Sequence, residues 1–307
     1  MMIGLFLRSY IFLCMMLFSI QSYASVSPMW VTIYVHGTTT AVGLKFLGKF
    51  CKDVSFGAPG IHHVTDLPDN ALLHQDIEKL QQRDPLRFCS EHFYTFGWSG
   101  KLNFSARARD GKILYKELIK LLDSYKTKYG FYPHVRLMTF SHGGNVALNM
   151  VKHLPFFKDE HIRLELLLIA CPVQKTTEHL IEHAEIDQVY VISSGRDLLQ
   201  VVDFYHHNNH GYFPDRFFHT KRQHCTQIRV QVNNRGLGHI DLMRSFMIHL
   251  PYVLNFADAC VNDQICTQDD DVDVCDPLVI ECSIVDDKFR FFNGFNLVPV
   301  VRGKRKK

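Results

Sequence analysis

Short apolar runs alternate with amphipathic segments along most of the chain. Trp30–Val35 and Val135–Phe140 are uninterrupted or nearly uninterrupted runs rich in β-branched and large apolar residues, which is typical of buried strands. In the segment 110–126 apolar residues recur at helical spacing, with Asp110 as a candidate N-cap. Strands that alternate with helices predict a mostly parallel sheet covered by helices on both faces.

The same pattern sets approximate bounds for the other elements. The predicted strands are 30–35, 91–96, 135–140, 163–170, 188–192 and 228–232, and the predicted helices are 41–51, 71–82, 110–126, 146–154, 176–184 and 240–250. The segment 55–69 is predicted to be a loop and 279–292 a hairpin closing over the main domain. The aromatic-rich segment 199–223 is a lid or apolar pocket wall on one interpretation and a surface loop on the other.

One strand runs into a helix through very few residues, and the first of them is Ser141. His142, Gly143 and Gly144 follow, so the chain must turn sharply, which glycine tolerates. Such a turn presents the serine hydroxyl beyond the strand end, where the helix N-terminus favours negative charge. A nucleophilic serine needs this arrangement, and a simple capping serine is the alternative.

Further polar residues follow other predicted strands. Asp197 comes after the strand 188–192, His239 comes after the strand 228–232, and the turn at Thr38 follows the first strand. In parallel sheets ligands bind at the carboxyl ends of the strands, so these residues are expected to meet Ser141 there. Asp203, further into a loop, and Asp187, which precedes its strand, are the alternative acids. Of 18 histidines, only His239 lies between the last predicted strand and helix.

These features together resemble the α/β-hydrolase superfamily, particularly its lipase- and esterase-like members, over roughly Met29–Phe256. The resemblance rests on the sequence TFSHG at 139–143, the HGT turn at 36–38, and the order serine, aspartate, histidine. Thr139 stands where the family pattern G-x-S-x-G has its first glycine. The resemblance implies a three-layer α/β-hydrolase fold with a mostly parallel central sheet.

The resemblance also implies a role for each site residue. Ser141 attacks a carbonyl carbon, His239 accepts and returns its proton, and Asp197 orients the imidazolium. The amides of His142 and Thr38 hold the oxyanion. This chemistry requires no cofactor and no metal. The expected activity is hydrolysis of carboxylic esters with lipid-like or other hydrophobic acyl groups through an acyl-enzyme. The alternative is an inactive binding or surface protein that keeps the fold.

The two ends of the chain differ in composition from the rest. Residues 1–24 contain an apolar run that is too short to span a bilayer, and they end in the small-x-small site Ser22–Ala24. This pattern predicts a cleaved signal peptide and export to the periplasm or the cell exterior. An uncleaved anchor is the alternative. The hydrolase domain is predicted over 25–256. The extension 257–307 carries four cysteines, which are expected to form disulfides rather than a zinc site. The sequence does not determine which cysteines pair.

Charge adds one further expectation about partners. The net charge of +3 over 307 residues is small and argues against a dedicated nucleic-acid binder. Basic residues cluster in the tail 302–307, which is either a solvated end or a point of peripheral contact with an anionic membrane.

Overall fold

The computed structural model describes residues 29–38, 58–67, 71–154, 157, 160–200, 216–220, 224–232, 235–244, 246–262, 278–285 and 288–291. The predicted signal peptide, the predicted helix 41–51, most of 199–223 and the basic tail lie outside the described residues and stay predictions. In these ranges no helix combines the length and the hydropathy that a membrane span requires.

The strands form one central sheet. They are β1 (Trp30–Val35), β2 (Gly60–His63), β3 (Phe93–Gly97), β4 (His134–Phe140), β5 (Leu164–Ile169), β6 (Gln188–Ser193), β7 (Cys225–Val232), β8 (Arg235–Gly236), β9 (Leu278–Val285) and β10 (Lys288–Phe291). Their order is β2-β3-β1-β4-β5-β6-β7-β9-β10, and β8 pairs with β7. Neighbours from β3 to β9 are parallel, whereas β2, β8 and β10 pair antiparallel.

Helices cover both faces of this sheet. They are α1 (Leu72–Arg83), α2 (Phe104–Tyr129), α3 (Gly143–Val151), α4 (His239–Arg244) and α5 (Leu250–Asn262), with 3₁₀ helices at Val64–Asp66, Ser90–His92, Glu178–Glu182 and Met247–His249. Apolar residues of α2 and α3 share one core with one face of the strands, and those of α1, α4 and α5 share a second core with the other face. The three-layer α/β-hydrolase fold class is therefore confirmed.

Several predicted boundaries were wrong, and each has a local cause. Asn103, not Asp110, caps α2: its side chain accepts a hydrogen bond from the amide of Ala106 at 2.7 Å, so the helix begins earlier. The predicted single helix 240–250 is broken: α4 ends at Arg244, a 3₁₀ helix follows at Met247–His249, and Pro251 lies in the first turn of α5, where its missing N–H costs no hydrogen bond. The predicted helix 176–184 is only a 3₁₀ helix.

Two edges of the sheet also differ from expectation. Residues 60–63, predicted as loop, form the edge strand β2. The C-terminal hairpin is confirmed as β9–β10, but it extends the sheet beside β7 rather than closing over the main domain. Helix α5 also runs across the predicted boundary between 256 and 257. The division into domains and the C-terminal disulfides stay predictions, since Cys266 and Cys275 lie outside the described residues.

A buried ion pair joins two central strands near their amino ends. Arg136 on β4 faces Glu165 on β5, with Nε and Oε1 2.5 Å apart and both side chains at least nine-tenths buried. The guanidinium also lies over the rings of Trp30 and Phe88, at 4.7 Å and 5.5 Å from their centroids. A second guanidinium nitrogen donates to the carbonyl of Arg87. The charge is thus compensated on several sides, which burial requires.

We predict that Glu165→Ala lowers the free energy of unfolding by about 3–5 kcal/mol, because it leaves the Arg136 charge buried without its carboxylate. Urea denaturation measures the change. The control is Glu117→Ala, which removes the exposed pair with Lys120 and should cost less than about 1 kcal/mol. Equal losses in the two variants would contradict the prediction.

Candidate active site

Ser141 occupies the turn between β4 and α3 in a strained backbone conformation. Its φ of +53° lies in the left-handed region that residues with a side chain rarely adopt. The Ser141 amide donates to the carbonyl of Ile169 at 2.8 Å, and the Gly144 amide donates to the Ser141 carbonyl at 3.0 Å. These bonds hold the turn closed at the carboxyl end of β4. Strain of this kind is commonly found at functional sites.

Two glycines allow the start of α3 to pack closely against its neighbours. A Cβ on Gly143 would lie closer than 3.0 Å to the carbonyl oxygens of Val35 and His36. A Cβ on Gly144 would lie closer than 3.0 Å to the side chain of Cys171. Any larger residue would therefore push the helix away from β1 and from the chain after β5. The turn depends on both glycines.

Thr139 replaces the first glycine of the family pattern without disturbing this packing. It is fully buried, and its hydroxyl donates to the carbonyl of Leu167 on β5 at 3.0 Å. Its oxygen would lie only 3.2 Å from a Cβ on Gly144. The space that Thr139 needs is thus provided by the absent side chain of Gly144. Cys171 beside Gly144 is buried, and burial raises the pKa of its thiol to about 12.

The structure pairs Asp197 with His239. Oδ2 of the fully buried Asp197 lies 2.8 Å from Nδ1 of His239. The other carboxylate oxygen accepts from the amide of Gln200 at 3.0 Å, and the Asp197 carbonyl accepts from Arg216. Both carboxylate oxygens are thereby held in place. Asp187 instead accepts from the Leu164 amide at the amino end of the sheet.

His239 lies beside the serine turn. It is the first residue of α4, not a loop residue, and its ring packs on that of Phe140 with centroids 4.7 Å apart. Phe140 immediately precedes Ser141, so the imidazole lies at the carboxyl end of β4. Since Nδ1 faces Asp197, Nε2 is the nitrogen that remains for a proton from a nucleophile.

Ser194, which the sequence analysis did not single out, connects the loops that carry the acid and the histidine. Its hydroxyl accepts a hydrogen bond from the Leu237 amide at 2.6 Å. A Cβ on Gly236 would lie closer than 3.0 Å to the Arg196 backbone. The loop after β6 and the loop before α4 are thus in direct contact, which fixes Asp197 relative to His239.

The turn after β1 is held by an aromatic pair. The rings of His36 and Trp98 stack with centroids 5.5 Å apart, and the indole N–H donates to the His36 carbonyl at 2.8 Å. Burial lowers the pKa of His36 to about 4, so its ring is neutral. Nε2 accepts from the Trp98 amide at 3.4 Å, and Nδ1 therefore donates to the Gly37 carbonyl at 2.6 Å.

This hydrogen bond orients the next amide. In a trans peptide the C=O and N–H point in opposite directions, so fixing the Gly37 carbonyl fixes the Thr38 N–H as well. The turn also lies against the serine, because a Cβ on Gly37 would be 3.0 Å from the Cβ of Ser141. The Thr38 amide is therefore held in one direction beside the Ser141 turn.

Asp110 anchors the loop that carries Trp98. Its carboxylate, buried within α2, accepts from both the amide and the hydroxyl of Ser99. Trp98 is itself buried and serves as the stacking partner of His36. The residue that was predicted to cap a helix thus supports the site instead.

No family model and no curated protein matches this chain. Among solved structures, the chain is similar to the Pyrococcus furiosus esterase Pf2001, with 12% identity, a TM-score of 0.38, and coverage of 76% of this chain and 82% of that one. It is also similar to the lin2722 product of Listeria innocua, with 14% identity, a TM-score of 0.36, and coverage of 85% and 100%.

A third similar structure is phospholipase PlaB from Legionella pneumophila in complex with thio-NAD. The identity is 14% and the TM-score 0.27, and the match covers 47% of this chain and 25% of PlaB. At these values the likenesses say nothing about the chemistry of this chain, which rests on its own residues.

Proposed function

We propose that the protein is an exported serine hydrolase that cleaves carboxylic esters, in which Ser141, His239 and Asp197 form the catalytic triad. The observation that carries the proposal is the 2.8 Å contact between Asp197 and His239 beside the strained turn of Ser141. Export follows from the predicted signal peptide at 1–24 and remains part of the proposal.

The reaction follows from this geometry. Ser141 Oγ attacks the ester carbonyl while Nε2 of His239 accepts its proton, and Asp197 stabilises the imidazolium through Nδ1. The amides of His142 and Thr38 hold the oxyanion. Collapse releases the alcohol, which takes the proton from His239, and leaves an acyl-serine. Water activated by the same histidine then hydrolyses the acyl group.

The acyl group that we propose is hydrophobic. Leu198 and Leu199 directly follow the triad acid, and 68% and 41% of their respective surfaces are exposed. Leu199 begins the aromatic-rich segment 199–223, whose sequence contains further apolar residues. Exposed apolar residues beside a catalytic centre favour a lipid-like substrate over a polar one. Contact with a membrane surface through the basic tail is compatible with such a substrate.

We predict that a fluorophosphonate probe labels the wild-type protein and not Ser141→Ala, since only an activated serine reacts with it. Asp197→Asn should lower kcat by about 10⁴-fold, because a neutral amide does not stabilise the imidazolium and can hold the histidine in the wrong tautomer. Ser124→Ala, an exposed serine on α2, is the control and should be labelled like the wild type. Absence of wild-type labelling would favour the inactive binding protein, and equal labelling of Ser141→Ala would assign the reactive serine to another position.

For the acyl group, we predict that kcat/KM on nitrophenyl esters rises with chain length beyond butyryl. Each methylene that enters an apolar site contributes about 0.8 kcal/mol, or roughly four-fold. Initial rates over a series of acyl lengths measure this. A maximum at acetyl with no activity beyond butyryl would contradict a lipid-like substrate while leaving the serine mechanism intact.

His36 has a positioning role in this proposal, because it fixes the Thr38 amide. We predict that His36→Ala lowers kcat by roughly 10²-fold with a smaller change in KM, as expected when an oxyanion donor loses its orientation. His36→Asn, whose amide can donate to the Gly37 carbonyl, should recover part of kcat. Unchanged kcat in folded His36→Ala, or no difference between the two variants, would contradict this role.

A further inference from the structure

A cluster of metal-ligand side chains lies away from the triad. One potential ligand atom from each of Cys89, Glu91 and His92 falls within 4.8 Å of the other two. We propose that these three residues bind a divalent cation of the zinc type.

The backbone holds these side chains on a rigid segment. Cys89 precedes the 3₁₀ helix Ser90–His92, and the His92 amide donates to the Cys89 carbonyl at 3.1 Å. The Ser90 amide donates to the side chain of Gln81 on α1 at 2.7 Å. On either side, Phe88 and Phe93 are fully buried. Anchored at both ends, the three ligands do not have to be collected from a flexible loop, which lowers the entropic cost of binding.

The His92 ring has the orientation that a metal ligand requires. Its Nδ1 lies 2.8 Å from the hydroxyl of Tyr125, which lies 3.1 Å from the hydroxyl of Tyr94. With Nδ1 engaged in this way, Nε2 is the nitrogen available for coordination. Histidine ligands commonly bond their second ring nitrogen to such a partner, which fixes the tautomer and the ring.

A second histidine supports the cluster from β2 without being a ligand. His63 Nδ1 accepts from the Thr65 amide at 3.3 Å, so Nε2 carries the proton and donates to the Glu91 carbonyl at 3.1 Å. Both His63 nitrogens are thus occupied. The protein supplies three ligands, and water completes a tetrahedral site, as in zinc sites with an open position.

Charge and softness select the class of metal. A coordinated thiolate and a carboxylate supply two negative charges, while Lys128, which interacts with the Tyr129 ring and with Glu91, supplies one positive charge. A thiolate, an imidazole and a carboxylate suit zinc and similar ions, whereas magnesium and calcium prefer oxygen ligands alone.

The position separates this site from the proposed hydrolysis. The cluster precedes β3, at the amino end of the parallel strands, whereas Ser141 and Asp197 follow β4 and β6 at the carboxyl end. A metal there binds only the segment before β3, which hydrogen bonds connect to α1, α2 and β2. Its role is structural, so failure of metal binding leaves the serine mechanism standing, and the reverse also holds.

Cobalt titration of the full-length chain, reduced with a non-thiol reductant, tests the site. We expect one bound equivalent with a thiolate-to-cobalt charge-transfer band that zinc displaces. Cys89→Ser should abolish the band, and His92→Gln and Glu91→Gln should weaken binding. Tyr125→Phe, which removes only the supporting hydroxyl, should weaken it roughly 10–100-fold. The matched controls are Cys225→Ser for the band and His62→Gln for affinity.

Two results would overturn the proposal. One is the absence of a stoichiometric cobalt complex with the wild type. The other is a band and an affinity that persist in Cys89→Ser, which would assign the thiolate to another cysteine. Circular dichroism and thermal unfolding of each metal-free variant establish that a loss of binding is not a loss of fold. Ester hydrolysis by Cys89→Ser should match that of the wild type.

Discussion

The close approach of three backbone segments around Ser141 is the constraint on which the structure depends. The end of β1, the turn after β4 and the start of α3 come this close because Gly37, Gly143 and Gly144 have no side chains of their own. A left-handed serine costs on the order of 1–3 kcal/mol, and the packing of α3 against β1 and β5 offsets that strain. Because this contact fixes the position of α3, it also fixes which groups can surround the serine.

The two ends of the sheet hold their polar and charged groups in different ways. At the carboxyl end, polar groups such as Asp197 are held by hydrogen bonds from loops. At the amino end, charges are paired: Arg136 forms a buried pair with Glu165, and Arg87 forms a partly exposed pair with Asp258 on α5. A buried pair of this kind holds neighbouring strands in one arrangement, although its net contribution to stability is small. The residues at the carboxyl end of the sheet therefore do not have to hold the strands together themselves.

The sequence predicted what local pattern and chain order determine. Strand and helix periodicity predicted the layers of the fold. Because ligands bind at the carboxyl ends of parallel strands, the sequence also predicted that Asp197 and His239 lie close together, and the structure has them in contact. The sequence could not reveal which specific side chains, far apart in the chain, contact one another. The stacking of His36 on Trp98, and the anchoring of Ser99 by Asp110, leave no local signal. The same limit hid the pairing of β9 with β7, since a hairpin pattern does not state which edge it joins.

The burial of His36 has a consequence for behaviour in acid. The folded protein binds a proton at His36 with a pKa of about 4, whereas an unfolded chain binds it with a pKa near 6.5. The contribution of His36 to the free energy of unfolding is therefore fully present above about pH 6.5 and falls by roughly 3 kcal/mol as the pH drops towards 4. A protonated ring can no longer accept a hydrogen bond from the Trp98 amide. Acid therefore disturbs the turn that orients Thr38 over the same pH range in which it destabilises the fold.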